Sequence, residues 1–256
     1  MEIAVCVKQA VDVVQLKMDP STLEPLLSIA PLKISDVDRN AIEEALRIKE
    51  KHGGRVTAIT LGGDKAKETL REAAAIGVDN LIHIFNDVGE IDESVISEAI
   101  AEVLKIKGPF QIILCGEMSI DKYTAQVGPR IAEKLGVTCI TYARSITIEG
   151  KEVIVERDLE DRTEIVKVKM PILITVTREI NTPRLPQLIG ILRASKKPIE
   201  TINLSQLKID LKPKTKIISI KGVEVKRKGV IIKDVSVDEA VNELISYLIK
   251  EGVLRR

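Results

Sequence analysis

Aromatic residues are almost missing: the 256 residues include no Trp, two Phe and three Tyr, 2% in all. That scarcity leaves no basis for base-stacking platforms, aromatic cages or barrels belted with aromatic girdles. Histidine is equally rare, with two residues, and the three Cys stand at no close spacing to either. Zinc and iron–sulfur sites need such spacing, so no metal is expected. An excess of one charge is also absent, since 39 Lys and Arg face 38 Asp and Glu for a formal +1. A nucleic-acid partner recognised through a broadly basic face is therefore not expected. No apolar run approaches the ~18 residues of a membrane span, and no basic-then-apolar leader opens the chain. No membrane insertion is expected, and a cytoplasmic location follows as the default.

What is abundant is the branched aliphatic side chain, with 37 Ile alone. The core is expected to be aliphatic, and with a surface dense in Lys, Glu and Arg this composition fits a thermophile. Cys6, Cys115 and Cys139 are odd in number and each lies in an apolar stretch. They read as small buried hydrophobes rather than disulfide partners or nucleophiles.

Strand-like apolar runs at 3–7, 55–61, 81–85 and 110–115 alternate with helical periodicity at 37–52, 64–76, 93–105 and 124–135. This order predicts an α/β fold, a doubly wound, mostly parallel, Rossmann-like sheet covered by helices on both faces. The runs are continuous rather than alternating, as doubly covered strands should be. From Val137 the pattern changes to strand-like pieces at 140–148, 152–158, 164–169 and 172–177, with a turn at Glu149-Gly150-Lys151. An antiparallel hairpin extending one sheet edge is predicted there. Pro183, Pro186 and Pro198 then break regular structure across 178–198. Beyond it come two β-like pieces, 216–220 and 229–232, and a helix at 236–250 opened by a Ser236/Glu239 capping box. The expected division is a sheet domain over 1–200 and a C-terminal arm over 201–256, whose apolar residues need an outside surface.

Ligands of open parallel sheets bind beyond the carboxyl ends of the strands, where strand order reverses. The residues that follow the strands are Lys8-Gln9-Ala10, Gly62-Gly63-Asp64 and the longer loop 116–129. The last runs into a helix N-terminus, where free amides and the positive dipole end favour an anion such as phosphate, and Lys122 adds a cation. An ordinary strand–loop–helix connection has the same spacing, and neither Walker A nor G-x-G-x-x-G is present. Tyr123 is either a ring facing a nucleotide or a loop-surface residue. Catalytic groups are thin: Glu43-Glu44 and the carboxylates of 158–161 read as solvated surface, while His52 and His83 have no sequence partner for a triad. No catalytic residue is assigned, and any redox chemistry must come from a cofactor. A second distinctive stretch, 181–197, joins Pro-stiffened loop signals to clustered Leu and Ile and then a basic cluster. Its aliphatics either tuck onto the sheet or form an exposed anchor for a partner.

These residues carry a resemblance. The opening Ile3-Ala4-Val5-Cys6-Val7-Lys8-Gln9, the helix from Ala41 to Glu50, the loop Ser119-Ile120-Asp121 with Thr124-Ala125-Gln126-Val127-Gly128-Pro129, and the stretch from Asn181 to Lys197 resemble the β subunit of electron transfer flavoprotein over essentially the whole chain. The resemblance implies a heterodimer with a larger α subunit that mainly holds a redox FAD. It implies a second adenine nucleotide in the β-subunit sheet, AMP in ordinary members and FAD in electron-bifurcating members that take hydride from NADH. Oxidoreductase activity would then need the α subunit, and the C-terminal arm would embrace it. Redox partners implied are an acyl-CoA dehydrogenase, a quinone oxidoreductase or ferredoxin.

By position, the implied cofactor site comprises Cys6, Ser35, Asp36, Val37, Asp38, Leu61, Gly62, Gly116, Asp121, Thr124, Ala125, Gln126, Val127 and Gly128, and Leu188 falls at the partner-anchoring leucine. Two places depart from the family: Asp121-Lys122-Tyr123 replaces an Asp-Gly-Asp or Asp-Asp-Asp stretch, and Ser35-Asp36 replaces an Asn-Pro turn. The wording from Thr124 to Pro129 resembles members with a second FAD more than those with AMP. The alternative reading is a stand-alone nucleotide-binding, stress-type signalling protein on the same sheet topology.

Overall fold

The computed structural model of the chain describes residues 1–223 and 228–254. They fall into two compact units, Met1–Ile220 and Lys221–Arg256. In the first, β1 (Glu2–Cys6) leads through a small antiparallel pair, β2 (Gln9–Val11) and β3 (Leu32–Ile34), into α1 (Asp36–His52). Then follow β4 (Arg55–Gly62), α2 (Ala66–Ala75), β5 (Asn80–Phe85), α3 (Glu93–Lys107), β6 (Ile112–Gly116) and α4 (Val127–Leu135). The chain continues through β7 (Thr138–Glu149), β8 (Glu152–Asp158), β9 (Thr163–Lys169), β10 (Ile172–Val176), α5 (Leu188–Lys196) and β11 (Glu200–Asn203).

Nine strands form one sheet in the order β11-β5-β4-β1-β6-β10-β7-β8-β9. All pairs from β11 to β7 are parallel, and β7-β8 and β8-β9 are antiparallel, so the predicted hairpin does extend one edge. The continuous apolar strands are explained by two cores. Along β1, Ile3 and Val5 pack with Ala41, Ile42 and Leu46 of α1 and Leu70 of α2, while Ala4 and Cys6 pack with Ala99 and Ile100 of α3 and Ile131 of α4. The largest fully buried side chains are Ile and Leu throughout, as the scarcity of aromatics requires. Each contributes roughly 1.5–3 kcal/mol by leaving water.

Several elements differ from the sequence expectation for identifiable reasons. The prolines do not break 178–198 but bracket a helix: Pro183 and Pro186 precede α5, Pro198 follows it, and none lies inside. The sheet unit also continues past residue 200, because β11 pairs in parallel with β5 and Leu204 and Leu207 are buried in the α3 core. The division therefore falls after Ile220 rather than after residue 200. The pieces 216–220 and 229–232 form no strand, since no described segment offers them a ladder. The helix expected from 124 starts at Val127, after Tyr123 and Ala125 adopt positive φ of 54° and 52°.

One buried carboxylate ties the late chain to the sheet unit. Asp92 caps α3 through Oδ1, which accepts from the Ser94 and Val95 amides at 3.1 Å each. Its Oδ2 accepts from the Lys214 and Thr215 amides at 2.7 and 2.9 Å. In the second unit, α6 (Val237–Lys250) opens with the expected capping box: Ser236 Oγ accepts from the Glu239 amide, and the Glu239 carboxylate from the Ser236 amide. No residue of α6 is buried, and its Val241, Leu244 and Ile245 are exposed. No helix among the described residues is long and apolar enough to cross a membrane.

Candidate functional site

Strand order reverses between β1 and β6, because the chain proceeds from β1 to β4 and β5 on one side and from β6 to β10 and β7 on the other. A cleft opens beyond the carboxyl ends of these two strands, enclosing about 760 Å³ with its mouth included.

Its floor is held by Asp38 in the first turn of α1. Asp38 Oδ2 accepts from the Lys8 amide at 2.8 Å and Oδ1 from the Gly116 amide at 3.0 Å, so one carboxyl joins the ends of both strands. Burial pushes the Asp38 carboxyl up to about 7, against the pull of those two amides. The approach is close enough to require glycine: a Cβ at residue 116 would sit 2.5 Å from Asp38 Oδ1.

The rim is the loop 117–126. Ser35 precedes α1 but does not cap it; its hydroxyl instead accepts from the Ile120 amide at 3.3 Å. Lys8 Nζ reaches Ser119 Oγ at 3.2 Å and Asp121 Oδ1 at 2.5 Å. Burial raises the Asp121 carboxyl, but the Lys8 ammonium outweighs it and holds the group below its ordinary range. The positive φ values of Tyr123 and Ala125 fold the loop back toward α4, a conformation that costs a non-glycine residue roughly 1–3 kcal/mol. Gln126 does not cap α4, because its Oε1 accepts from Arg130 Nε and Nη2 at 3.2 and 3.0 Å. No side chain among the described residues caps this first turn, which opens on the cleft at Val127 and Gly128. The lining also includes the apolar groups Leu61, Ile96, Ile100, Cys6 and Cys115. An uncapped helix start beside an apolar wall can take a phosphate at one end and a flat apolar ring at the other.

A second region is built on the same helix. The Arg184 guanidinium grips both oxygens of Glu43, Nε to Oε2 at 2.8 Å and Nη2 to Oε1 at 3.1 Å, and also reaches Glu50. Asn181 Nδ2 donates to Glu44 Oε2 at 3.1 Å and to the Asn40 carbonyl at 3.0 Å. Glu43 and Glu44 are thus buried, not solvated as their place on the polar side of α1 suggested. Burial raises the Glu44 carboxyl, whereas at Glu43 the Arg184 contacts overcome burial and lower it. Beyond this mooring the aliphatics point outward: Leu185 is 86%, Leu188 73% and Leu192 61% exposed. These side chains are exposed rather than tucked onto the sheet.

The "Electron transfer flavoprotein domain" profile matches residues 28–207. The chain belongs to the electron transfer flavoprotein family. It is 38% identical, over 99% of its length and the whole of the relative, to the electron transfer flavoprotein subunit beta of Thermoanaerobacterium thermosaccharolyticum. It is 40% identical to the subunit of the same name from Bacillus subtilis, over 86% of each chain. It is also 34% identical to the caffeyl-CoA reductase-Etf complex subunit CarD of Acetobacterium woodii, over 99% of this chain and all of that one.

Of the residues that the electron transfer flavoprotein resemblance implied, Cys6, Asp38, Leu61, Gly116, Thr124, Ala125, Gln126, Val127 and Gly128 line the cleft together. Ser35 and Asp121 stand behind its rim loop, as tethers to Ile120 and Lys8. Val37 is buried and, like Gly62, lies off the lining, and Asp36 pairs instead with Lys33 and Arg178. Tyr123 is 63% exposed and does not line the cleft. Sequence reasoning missed Glu93, Ile96 and Ile100 as lining groups; they come from α3, whose helical periodicity gives no sign that its first two turns also face a cleft.

Proposed function

We propose that this chain is the β subunit of a heterodimeric electron transfer flavoprotein, located in the cytoplasm, and that the switch-point cleft binds an adenine nucleotide, FAD or AMP. The uncapped first turn of α4, in one cleft with the apolar Leu61, Ile96 and Ile100, carries this reading. The Val127 and Gly128 amides hold phosphate, while Leu61, Ile96 and Ile100 flank the ring. Bound FAD would supply one- and two-electron chemistry that the chain's own side chains lack. Asp38 and the Lys8–Asp121 tether keep the strand ends and the rim loop in place around the nucleotide. A further FAD belongs mainly to the α subunit, which the C-terminal unit embraces. The exposed face of α5, led by Leu188, docks the redox partner. Two relatives are named for caffeyl-CoA reductase and acryloyl-CoA reductase, which supports a redox partner acting on acyl-CoA thioesters.

Co-purification with the α subunit, denaturation and counting of released nucleotide tests this. Two FAD per heterodimer support bifurcation, and one FAD with one AMP supports the ordinary type. No adenine nucleotide at all overturns the site. A stable homodimer that binds ATP and ignores the α subunit supports the stand-alone reading instead.

A further inference from the structure

Five acidic and basic side chains line the cleft, and carboxyl groups predominate: Asp38, Glu93 and Glu117 against Lys8 and Lys122. An anion seated there needs a cation that is free to turn to it. Lys8 is not free, since Asp121 and Ser119 both hold its ammonium. Lys122 has one partner, Glu93 Oε1 at 3.1 Å, across the gap from the rim loop to the first residue of α3. The Lys122 side chain is 35% exposed, so the pair is worth no more than ~1 kcal/mol after screening. A phosphate group carries up to about two charges and accepts stronger hydrogen bonds than a neutral acceptor.

We propose that Lys122 is an exchangeable cation, and that the Glu93 carboxylate is an internal anion competing with nucleotide phosphate for it. The pair then sets how strongly the cleft prefers a diphosphate-bearing ligand over a monophosphate. The proposal rests on the nucleotide reading above.

Calorimetric titration of the full-length chain, freed of bound nucleotide, with adenosine, AMP and ADP tests it. Lys122→Ala should weaken ADP binding about tenfold, a loss of ~1.4 kcal/mol, weaken AMP less, and leave adenosine unchanged. Glu93→Gln should do the opposite and tighten ADP roughly threefold to tenfold, with Asp92 still capping α3. Opposite signs from the two partners of one ion pair are the signature, because a merely structural pair would weaken binding from either side. Equal effects on adenosine and ADP, or a Glu93→Gln variant that binds ADP no tighter, overturn the exchange and leave the nucleotide reading standing. A parent chain that binds none of the three compounds overturns both.

Discussion

Helix α1 supports two regions that solve opposite problems. At its start, Asp38 lines the cleft and Ser35 stands behind the rim loop, each turning its polar atoms inward onto backbone amides. Further along, Asn40, Glu43 and Glu44 moor the segment 181–184, and the helix that follows turns its apolar groups outward. Buried charge does a similar task in both places, holding a distant segment against α1 so that the other side of that segment is available. What differs is the surface presented: a lined cleft in one case, a projecting aliphatic face in the other. Side chains that look alike in sequence, Asp38 and Glu43, therefore have different ionisation. Burial dominates at Asp38 and raises it, while Arg184 dominates at Glu43 and lowers it.

The largest effect expected from breaking this arrangement is at the mooring. Arg184→Ala leaves Glu43 with the Arg47 guanidinium as its remaining cation and removes the charged hydrogen bonds that hold residue 184 to α1, which should cost about 2–3 kcal/mol in urea unfolding, with faster amide exchange across 185–197. At the cleft, Gly116→Ala forces a Cβ against Asp38 and should destabilise by about 2 kcal/mol, read as a lower urea midpoint at unchanged slope. Asp38→Asn retains one acceptor for two amides and should cost about 1–2 kcal/mol near pH 5. Its clearer mark is in the pH profile. A carboxyl raised from 3.8 to about 7 stabilises the fold below its ordinary value, and that contribution is lost as pH rises through about 7. The Asn variant should lack this decline between pH 4 and 7. Leu188→Ala should change stability by less than about 0.5 kcal/mol, since the side chain is exposed. It should still slow electron transfer with the redox partner at unchanged nucleotide content; unchanged transfer kinetics would remove α5 from the docking role.

The β/α alternation was legible because doubly covered strands must be apolar throughout, and Ile3 to Val7 or Ile112 to Cys115 admit no other reading. That the strand-to-helix loop after β6 borders the switch-point cleft was legible for the same topological reason. Burial of Glu43 and Glu44 was not, because their partners Arg184 and Asn181 lie more than 130 residues away in sequence. Helix α5 was hidden because a proline that brackets a helix and one that breaks it look alike without the chain's path. The pieces at 216–220 and 229–232 misled in the reverse sense: an alternating pattern becomes a strand only when another strand pairs with it. The α3 contribution to the cleft left no signal, since Glu93, Ile96 and Ile100 suit a helix that only packs on a sheet.

Asp92 carries a consequence for the order of events in the late chain. One carboxylate accepts from two amides at the start of α3 and two more some 120 residues later, so the four protons share a single protector. They should exchange with solvent as a group rather than as two local sets. A pull on the chain beyond Thr215 is then felt at the first turn of α3, the turn that also presents Glu93 to the cleft. Whatever holds Lys214 and Thr215 in place thereby steadies one wall of the cleft from a distance.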